Sequence, residues 1–178
     1  MANVSDFVSK LKGGGARQNQ FKVTMPFPGF AAVGGETESM AFLCSSTILP
    51  TSELGEIAVN FRGRPIYMAG DRTFQTWSTT IINDTDFGIR NAIERWSNGI
   101  NNHSDNEGLN NPVDYQVDAF VDHLDRNGNT IKSYTFRGMF PTIIGQVDLN
   151  YDQVTALETF ECTWRYQYWE SNLSLIHI

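Results

Sequence analysis

The chain has 178 residues, of which 40% are hydrophobic, so length and composition fit one folded domain with a sizeable core. Thirteen basic side chains against 20 acidic ones give a net charge of −7, which makes the chain a poor candidate for holding nucleic acid, because that requires a basic surface. No apolar run approaches the roughly 20 residues of a membrane-spanning helix, and the N-terminus lacks the features of a secretory signal. We therefore expect a soluble protein that is intracellular when it is made.

The first half of the chain predicts one short helix followed by strands. Phe7, Val8 and Leu11 share helical spacing, and three glycines at 13–15 end that helix. Residues 30–39 are small and partly acidic and predict an exposed loop, and Gly70-Asp71 predicts a turn. Alternating apolar residues predict five strands, at 20–25, 40–46, 55–61, 64–68 and 77–82.

The second half predicts the most convincing helix and a further set of strands. Ile89, Ile93 and Trp96 lie at helical spacing, with capping side chains at 83–86 and a C-terminal stop at Gly99. An Asn-rich surface loop is expected at 100–112. The remaining strands are predicted at 115–124, 130–139, 146–151 and 158–169. The chain is therefore expected to be mainly β, an antiparallel β-sandwich or barrel with one flanking α-helix.

The sequence offers little that points to catalysis. The histidines form no zinc-binding pair, and there is no nucleophile elbow, phosphate-binding loop or calcium loop. Carboxylates that share a strand, such as Asp118 and Asp122, are expected to be solvated acidic faces rather than acid–base pairs. Cys44 and Cys162 are far apart in alternating runs, so we expect both to be buried and reduced. We expect no catalytic residue, no cofactor and no metal site.

Two blocks of sequence carry a resemblance to a known family. Residues 69–74 read Ala-Gly-Asp-Arg-Thr-Phe before an aromatic strand and Asn83-Asp84, and residues 140–142 read Phe-Pro-Thr with Gly145 four residues after the proline. With the segments 148–152 and 159–170, they resemble the tail tube proteins of contractile-tailed bacteriophages. The resemblance covers about residues 16–170. The segments that depart from the family pattern are 28–38, 100–112 and 171–178.

The resemblance implies a ring-forming β-sandwich at 16–170, with an N-terminal extension at 1–15 and a C-terminal extension at 171–178. Six copies would close into a ring, and rings would stack into a tube within a tail sheath, between baseplate and tail terminator proteins. DNA would pass through the lumen without specific binding. The subunit would be assembled in the host cytoplasm and become part of the virion. Relatives of this fold build type VI secretion tubes and headless contractile particles.

Four acidic residues are candidates for the surface of such a lumen, where their charge would repel phosphate at short range. They are Asp118, Asp122, Asp148 and Asp152. Gly70, Asp71 and Arg72 have two interpretations. They could lie at a contact between subunits, where a desolvated arginine contributes strongly, or they could form only a turn with a weak local ion pair.

Two other functions share most of these features. A tube subunit of a type VI-like secretion system or of a headless contractile particle would have the same physical properties. A monomeric small-molecule-binding β-barrel belongs to a different class, since it requires a closed apolar pocket with convergent polar groups.

Trp77, Trp96, Phe140, Trp164 and Trp169 are expected in the core of the fold.

Overall fold

The computed structural model describes residues 3–173, which form four α-helices and nine β-strands. The helices are α1 (Val4–Lys10), α2 (Glu36–Leu43), α3 (Gly88–Ile100) and α4 (Pro112–Tyr115), and a short 3-10 turn spans Lys12–Gly14. The strands are β1 (Phe21–Thr24), β2 (Cys44–Ile48), β3 (Ser52–Phe61), β4 (Arg64–Phe74), β5 (Trp77–Ile82), β6 (Val117–Leu124), β7 (Thr130–Ile144), β8 (Thr159–Arg165) and β9 (Tyr168–Ser171). The mainly β, antiparallel fold predicted from sequence is confirmed.

Seven strands form one antiparallel sheet in the order β1-β6-β7-β8-β5-β2, with β9 also paired to β7. The 15-residue strand β7 joins its two halves, since its first part pairs with β6 and β9 and its last part with β8. Gly138 lies at this junction with φ +62°, where a Cβ would lie 2.9 Å from Cγ of Gln167. Glycine tolerates both the conformation and the close approach, which lets β7 serve both halves.

The core between the two halves is aromatic. Trp77 of β5 stacks on Phe136 of β7 with ring centroids 4.4 Å apart, and Trp96 of α3 lies 5.6 Å from Trp164 of β8. The indole Nε1 of Trp164 donates to Oγ1 of the buried Thr79 at 2.9 Å, so its polar atom is satisfied. These three tryptophans are fully buried as predicted, and Phe140 and Trp169 pack at the margin of the same core.

Helix α3 confirms the most convincing helix of the sequence. Its buried face consists of Ile89, Ala92, Ile93 and Trp96. The N-cap is Phe87, which makes no side-chain cap hydrogen bond, but Asp84 from the predicted capping segment accepts a hydrogen bond from the backbone N–H of Gly88. The expected stop at Gly99 is wrong by one residue, because the helix continues to Ile100.

The segment 30–46 differs most from its prediction. Residues expected to form an exposed loop and then a strand instead form α2, and β2 begins only at Cys44. The carboxylate of Glu36 accepts hydrogen bonds from the backbone N–H groups of Val33 and Gly34 and lies 3.6 Å from the guanidinium of Arg95. These contacts hold the start of α2 against α3, which a local sequence pattern does not show.

Two further predictions about strands are wrong. The segment 146–151 is loop, and the run 158–169 divides into β8 and β9 with a break at Tyr166 and Gln167. The backbone N–H of Gln167 donates to the carbonyl of Arg137, which turns the chain so that β9 pairs with the other half of the sheet.

Both cysteines are buried and free, as predicted. Burial raises the pKa of the Cys44 thiol to about 12, and it raises the pKa of Cys162 further. Both side chains therefore act as small apolar groups in the core.

Candidate assembly surface

Strands β3 and β4 form a separate two-stranded sheet rather than joining the sandwich. They are joined by Arg62 and Gly63, both with positive φ, which is the conformation of a tight hairpin turn. The two strands are 10 and 11 residues long, and neither contains a buried side chain. A two-stranded hairpin is only marginally stable in water by itself. This hairpin therefore presents a long surface that has no cover within the chain.

The hairpin has one apolar face. Side chains of directly opposed residues lie on the same face, so the pairing of Ile57 with Met68 and of Val59 with Ile66 places four apolar groups together. Phe61 extends the row toward the turn, where the guanidinium of Arg62 lies 5.2 Å from its ring. These five apolar side chains are between 42% and 56% exposed. Contiguous apolar surface of this kind marks an interaction site.

Gly70, Asp71 and Arg72 lie within β4, so the predicted turn at Gly70-Asp71 is wrong. A Cβ on Gly70 would lie 3.2 Å from the carbonyl oxygen of Gly55, so glycine permits the close approach of the two strands at a bulge. Among the described residues, Asp71 and Arg72 form no ion pair with each other. Arg72 instead donates from Nη1 to Oγ of Ser52 at 2.9 Å.

Asp118 and Asp122 lie on the outer face of β6, since Ala119 and Val121 between them are buried. Asp118 forms a 2.7 Å ion pair with Arg137, which also contacts Glu170 at 2.6 Å. The carboxylate of Asp122 accepts a hydrogen bond from Oγ of Ser133. Both candidates therefore share one strand face, on which the exposed Phe120 lies between them.

The pKa of Asp118 reflects two opposing effects. Partial burial raises it, but the backbone N–H of Gly138 and the Arg137 guanidinium both donate to the carboxylate. Together these donors hold the pKa of Asp118 below its ordinary range. Its negative charge is thus retained but largely compensated by Arg137.

Asp148 and Asp152 lie away from that face, in the loop between β7 and β8. Both are exposed, as are four large apolar side chains of the same loop. These are Leu149, Tyr151, Val154 and Leu157. The four acidic candidates therefore fall into two groups, one on β6 and one in this loop.

The described residues lack two kinds of feature, a metal-binding cluster and a membrane-spanning helix. Within residues 3–173, no group of three or more His, Cys, Asp or Glu side chains is arranged to hold a metal ion. The same residues include no helix with the length and apolar character needed to cross a membrane.

Comparison with known proteins identifies the family. The family model described as phage tail tube protein matches residues 16–172. The chain belongs to the phage tail tube protein family. The tail tube protein of Serratia phage KSP90 is 36% identical over 168 residues, which cover 93% of this chain and 95% of that protein. The tail tube protein of Enterobacteria phage T4 is 31% identical, covering 87% of this chain and 91% of the relative. Tail tube proteins of phages are components of the virion.

The tail tube fold extends to other contractile machines. A chain in the extended sheath–tube complex of an extracellular contractile injection system superposes with a TM-score of 0.62. The two chains are only 12% identical, and the match covers 98% of this chain and all of the other. The fold is thus shared at a level where most side chains differ.

The sequence indicated the family through its resemblance, but it did not show how much apolar surface the tail tube protein leaves exposed. The alternation of Ile57, Val59 and Phe61 predicted a strand but not what its apolar face would contact. The structure leaves that face exposed. Among the described residues, β3 and β4 pair only with each other. A local sequence pattern does not show this, because it depends on how distant strands pair.

Proposed function

We propose that the protein is the repeating subunit of the inner tube of a contractile phage tail, with six copies closing into a ring and rings stacking into the tube. The role is structural, and no catalytic step is assigned to it. The observation that carries this proposal is the exposed apolar face of the β3–β4 hairpin. A chain that holds such a face in water gains stability when another copy covers it.

The unpaired strand edges support the same assembly. The seven-stranded sheet ends in β1 at one side and β2 at the other, and β9 pairs only with β7 in the described part of the chain. Edge strands offer rows of free N–H and C=O groups to a further strand. Because β1 and β9 both flank the β6–β7 half, neighbouring copies can extend this half of the sheet around a ring.

The lumen follows from that arrangement. One face of the β6–β7 half packs on the core, so its other face, which carries Asp118 and Asp122, would line a ring closed through β1 and β9. This face carries charges of both signs, since Lys22 lies opposite Asp122 and Arg137 pairs with Asp118, and the exposed Phe120 lies between the two aspartates. A lumen without an excess of basic charge would let DNA slide without binding.

The remaining partners would act at the outside and the ends of the tube. A tail sheath protein would surround it, a baseplate would start it and a terminator would close it. The solved sheath–tube complex supports this reading only through its shared fold. Assembly would take place in the host cytoplasm before the tail joins the virion.

The hairpin face can be tested with a single substitution. Val59→Asp places a charge in the middle of the apolar face, so burying that face against another copy would require desolvation of the carboxylate. We expect the variant to fold as a monomer but to lose tubes and rings in negative-stain electron microscopy across a concentration series. The exposed position of Val59 predicts an unchanged melting temperature for the monomer.

Asn60→Asp is the matched control, because it adds the same charge one residue away on the opposite face of the hairpin. We expect Asn60→Asp to assemble like the parent chain. If Val59→Asp also forms normal tubes, the hairpin face does not drive assembly. A parent chain that stays monomeric at high concentration, even with a baseplate-like initiator, contradicts the proposed function as a whole.

A further inference from the structure

Helix α1 has an apolar stripe that the chain itself does not cover. Val4, Phe7 and Val8 lie at i, i+3 and i+4, which places them on one side of the helix, and Leu11 follows directly as its C-cap. They are between 45% and 76% exposed, and no residue of α1 is buried. A helix of seven residues is too short to be stable in water on its own. Its stripe therefore requires a surface to pack against.

A groove of suitable character lies between α2 and the edge strand β1. It encloses about 710 Å³, a size typical of pockets that hold apolar groups. Phe42 of α2 is 79% exposed at this groove, which is unusual for a phenylalanine beside an edge strand. Phe21 and Lys22 of β1 line one side of the groove, and Thr37, Glu38 and Phe42 of α2 line the other.

We propose that α1 of one copy docks in the α2–β1 groove of a neighbouring copy. The apolar stripe would cover Phe42 and Phe21, and the groove would supply the packing that α1 lacks. This inference rests on the proposed function, since it needs copies of the chain side by side or stacked.

The charge of the segment that contains α1 makes it a better occupant of this groove than the β3–β4 hairpin or an acidic segment of another protein. The first 20 residues contain three basic side chains and one acidic one, in a chain whose net charge is −7. Lys10 and Lys12 flank the stripe, whereas the groove itself carries one residue of each sign, Glu38 and Lys22, so the attraction comes from the net charge of the chain. Docking on another copy would therefore place a basic segment on an acidic molecule, which adds attraction at short range.

The geometry of such a contact also fits a tube. The stripe and the groove are different surfaces of the same chain, so the contact is heterologous and each copy can be donor and acceptor at once. Repeated contacts of this type close into rings or continue as open filaments. In an assembly every copy has neighbours, and each copy supplies one groove for each α1.

Docking on a neighbour can be distinguished from docking on the same chain by mixing two cysteine variants. One carries Val8→Cys in the stripe, and the other carries Thr37→Cys in the groove. The two are co-assembled, treated with oxidised glutathione and separated on a non-reducing gel. We expect a disulfide-linked dimer that contains one copy of each variant, because the two thiols meet only across a contact between copies.

Ser9→Cys is the matched control, since Ser9 lies on the exposed side of α1 away from the stripe. We expect the linked dimer to be lost when Ser9→Cys replaces Val8→Cys. The native Cys44 and Cys162 are buried and should not contribute. The parent chain, treated in the same way, gives the background.

The outcomes separate this inference from the proposed function. Tubes visible by electron microscopy without a Val8–Thr37 link would overturn the docking and leave the tube function intact. A chain that carries both Val8→Cys and Thr37→Cys and forms the disulfide within itself, while the mixed single variants form none, would show that α1 packs in its own groove and would also overturn the docking. Failure of the parent chain to assemble at all counts against the proposed function, independently of any cysteine.

Discussion

At the scale of single residues, Glu36 decides the local structure of the segment before β2. Its carboxylate is buried, accepts two backbone hydrogen bonds and faces Arg95. Burial raises its pKa, but the hydrogen bonds from Val33 and Gly34 and the nearby Arg95 outweigh that effect, so the pKa lies below its ordinary value. A carboxylate so placed stabilises the fold only while it is ionised.

This predicts an acid-sensitive contribution to the free energy of unfolding. Because the folded-state pKa of Glu36 is lowered, its contribution is complete above the unfolded-state value of about 4.3 and is lost as pH falls through the folded-state value. Glu36→Gln should lower stability at pH 7 and flatten its dependence on pH below about 4.3. Urea unfolding of both chains between neutral and acidic pH measures this. Parallel pH profiles for the two chains would show that Glu36 is not responsible.

At the scale of elements, the β3–β4 hairpin is the part of the subunit that we propose contacts other copies. The hairpin buries no side chain, so its substitutions should affect contacts between copies more than the stability of the domain. Arg72 is the clearest case. It is exposed and makes one hydrogen bond across the strands, to Ser52.

Arg72→Ala is expected to weaken the stacking of rings while leaving the monomer folded. The lost hydrogen bond costs the monomer about 1 kcal/mol or less, whereas an arginine desolvated at a contact between copies contributes more. Tube dissociation in a denaturant series, followed by electron microscopy, measures the effect. Ser52→Ala removes the same hydrogen bond but keeps the guanidinium, so it should leave tubes more stable than Arg72→Ala does. Equal loss in both variants would assign the effect to the hairpin itself.

At the scale of the whole molecule, the two groups of acidic candidates give different predictions for a lumen. A ring closed through β1 and β9 would point the outer face of β6 inward and carry Asp122 with it. The loop that holds Asp148 and Asp152 lies between β7 and β8, outside that strand face. Only the first group would then be close enough to passing DNA for its charge to act within the screening length of about 10 Å.

Asp122→Lys should slow DNA release from virions without preventing assembly, and high salt should reduce the delay because it screens the new attraction to phosphate. Asp122→Asn keeps a hydrogen-bond acceptor for Ser133 and should give an intermediate rate. Release can be followed by the fluorescence of a DNA-binding dye. Slower release with Asp148→Lys and Asp152→Lys instead, and a normal rate with Asp122→Lys, would place the loop in the lumen. Loss of tubes in Asp122→Lys would give this residue a structural role.

The sequence alone determined the antiparallel β character of the chain, the position of α3 and the burial of Trp77, Trp96 and Trp164. Periodicities of 2 and 3.6 residues are local properties, so these features can be read from neighbours in the chain. The motifs at 69–74 and 140–145 also indicated the family, which the comparisons confirmed.

Only the tertiary structure shows which surfaces pack within the chain and which stay exposed. Helix α2 depends on Arg95, almost 60 positions away from Glu36, and Gly70 is explained by the approach of Gly55 rather than by a turn. The alternation in β3 looks the same whether its apolar face meets the chain's own core or another copy. Local patterns record which side chains avoid water, but only the arrangement of distant segments determines which of them remain exposed for a partner.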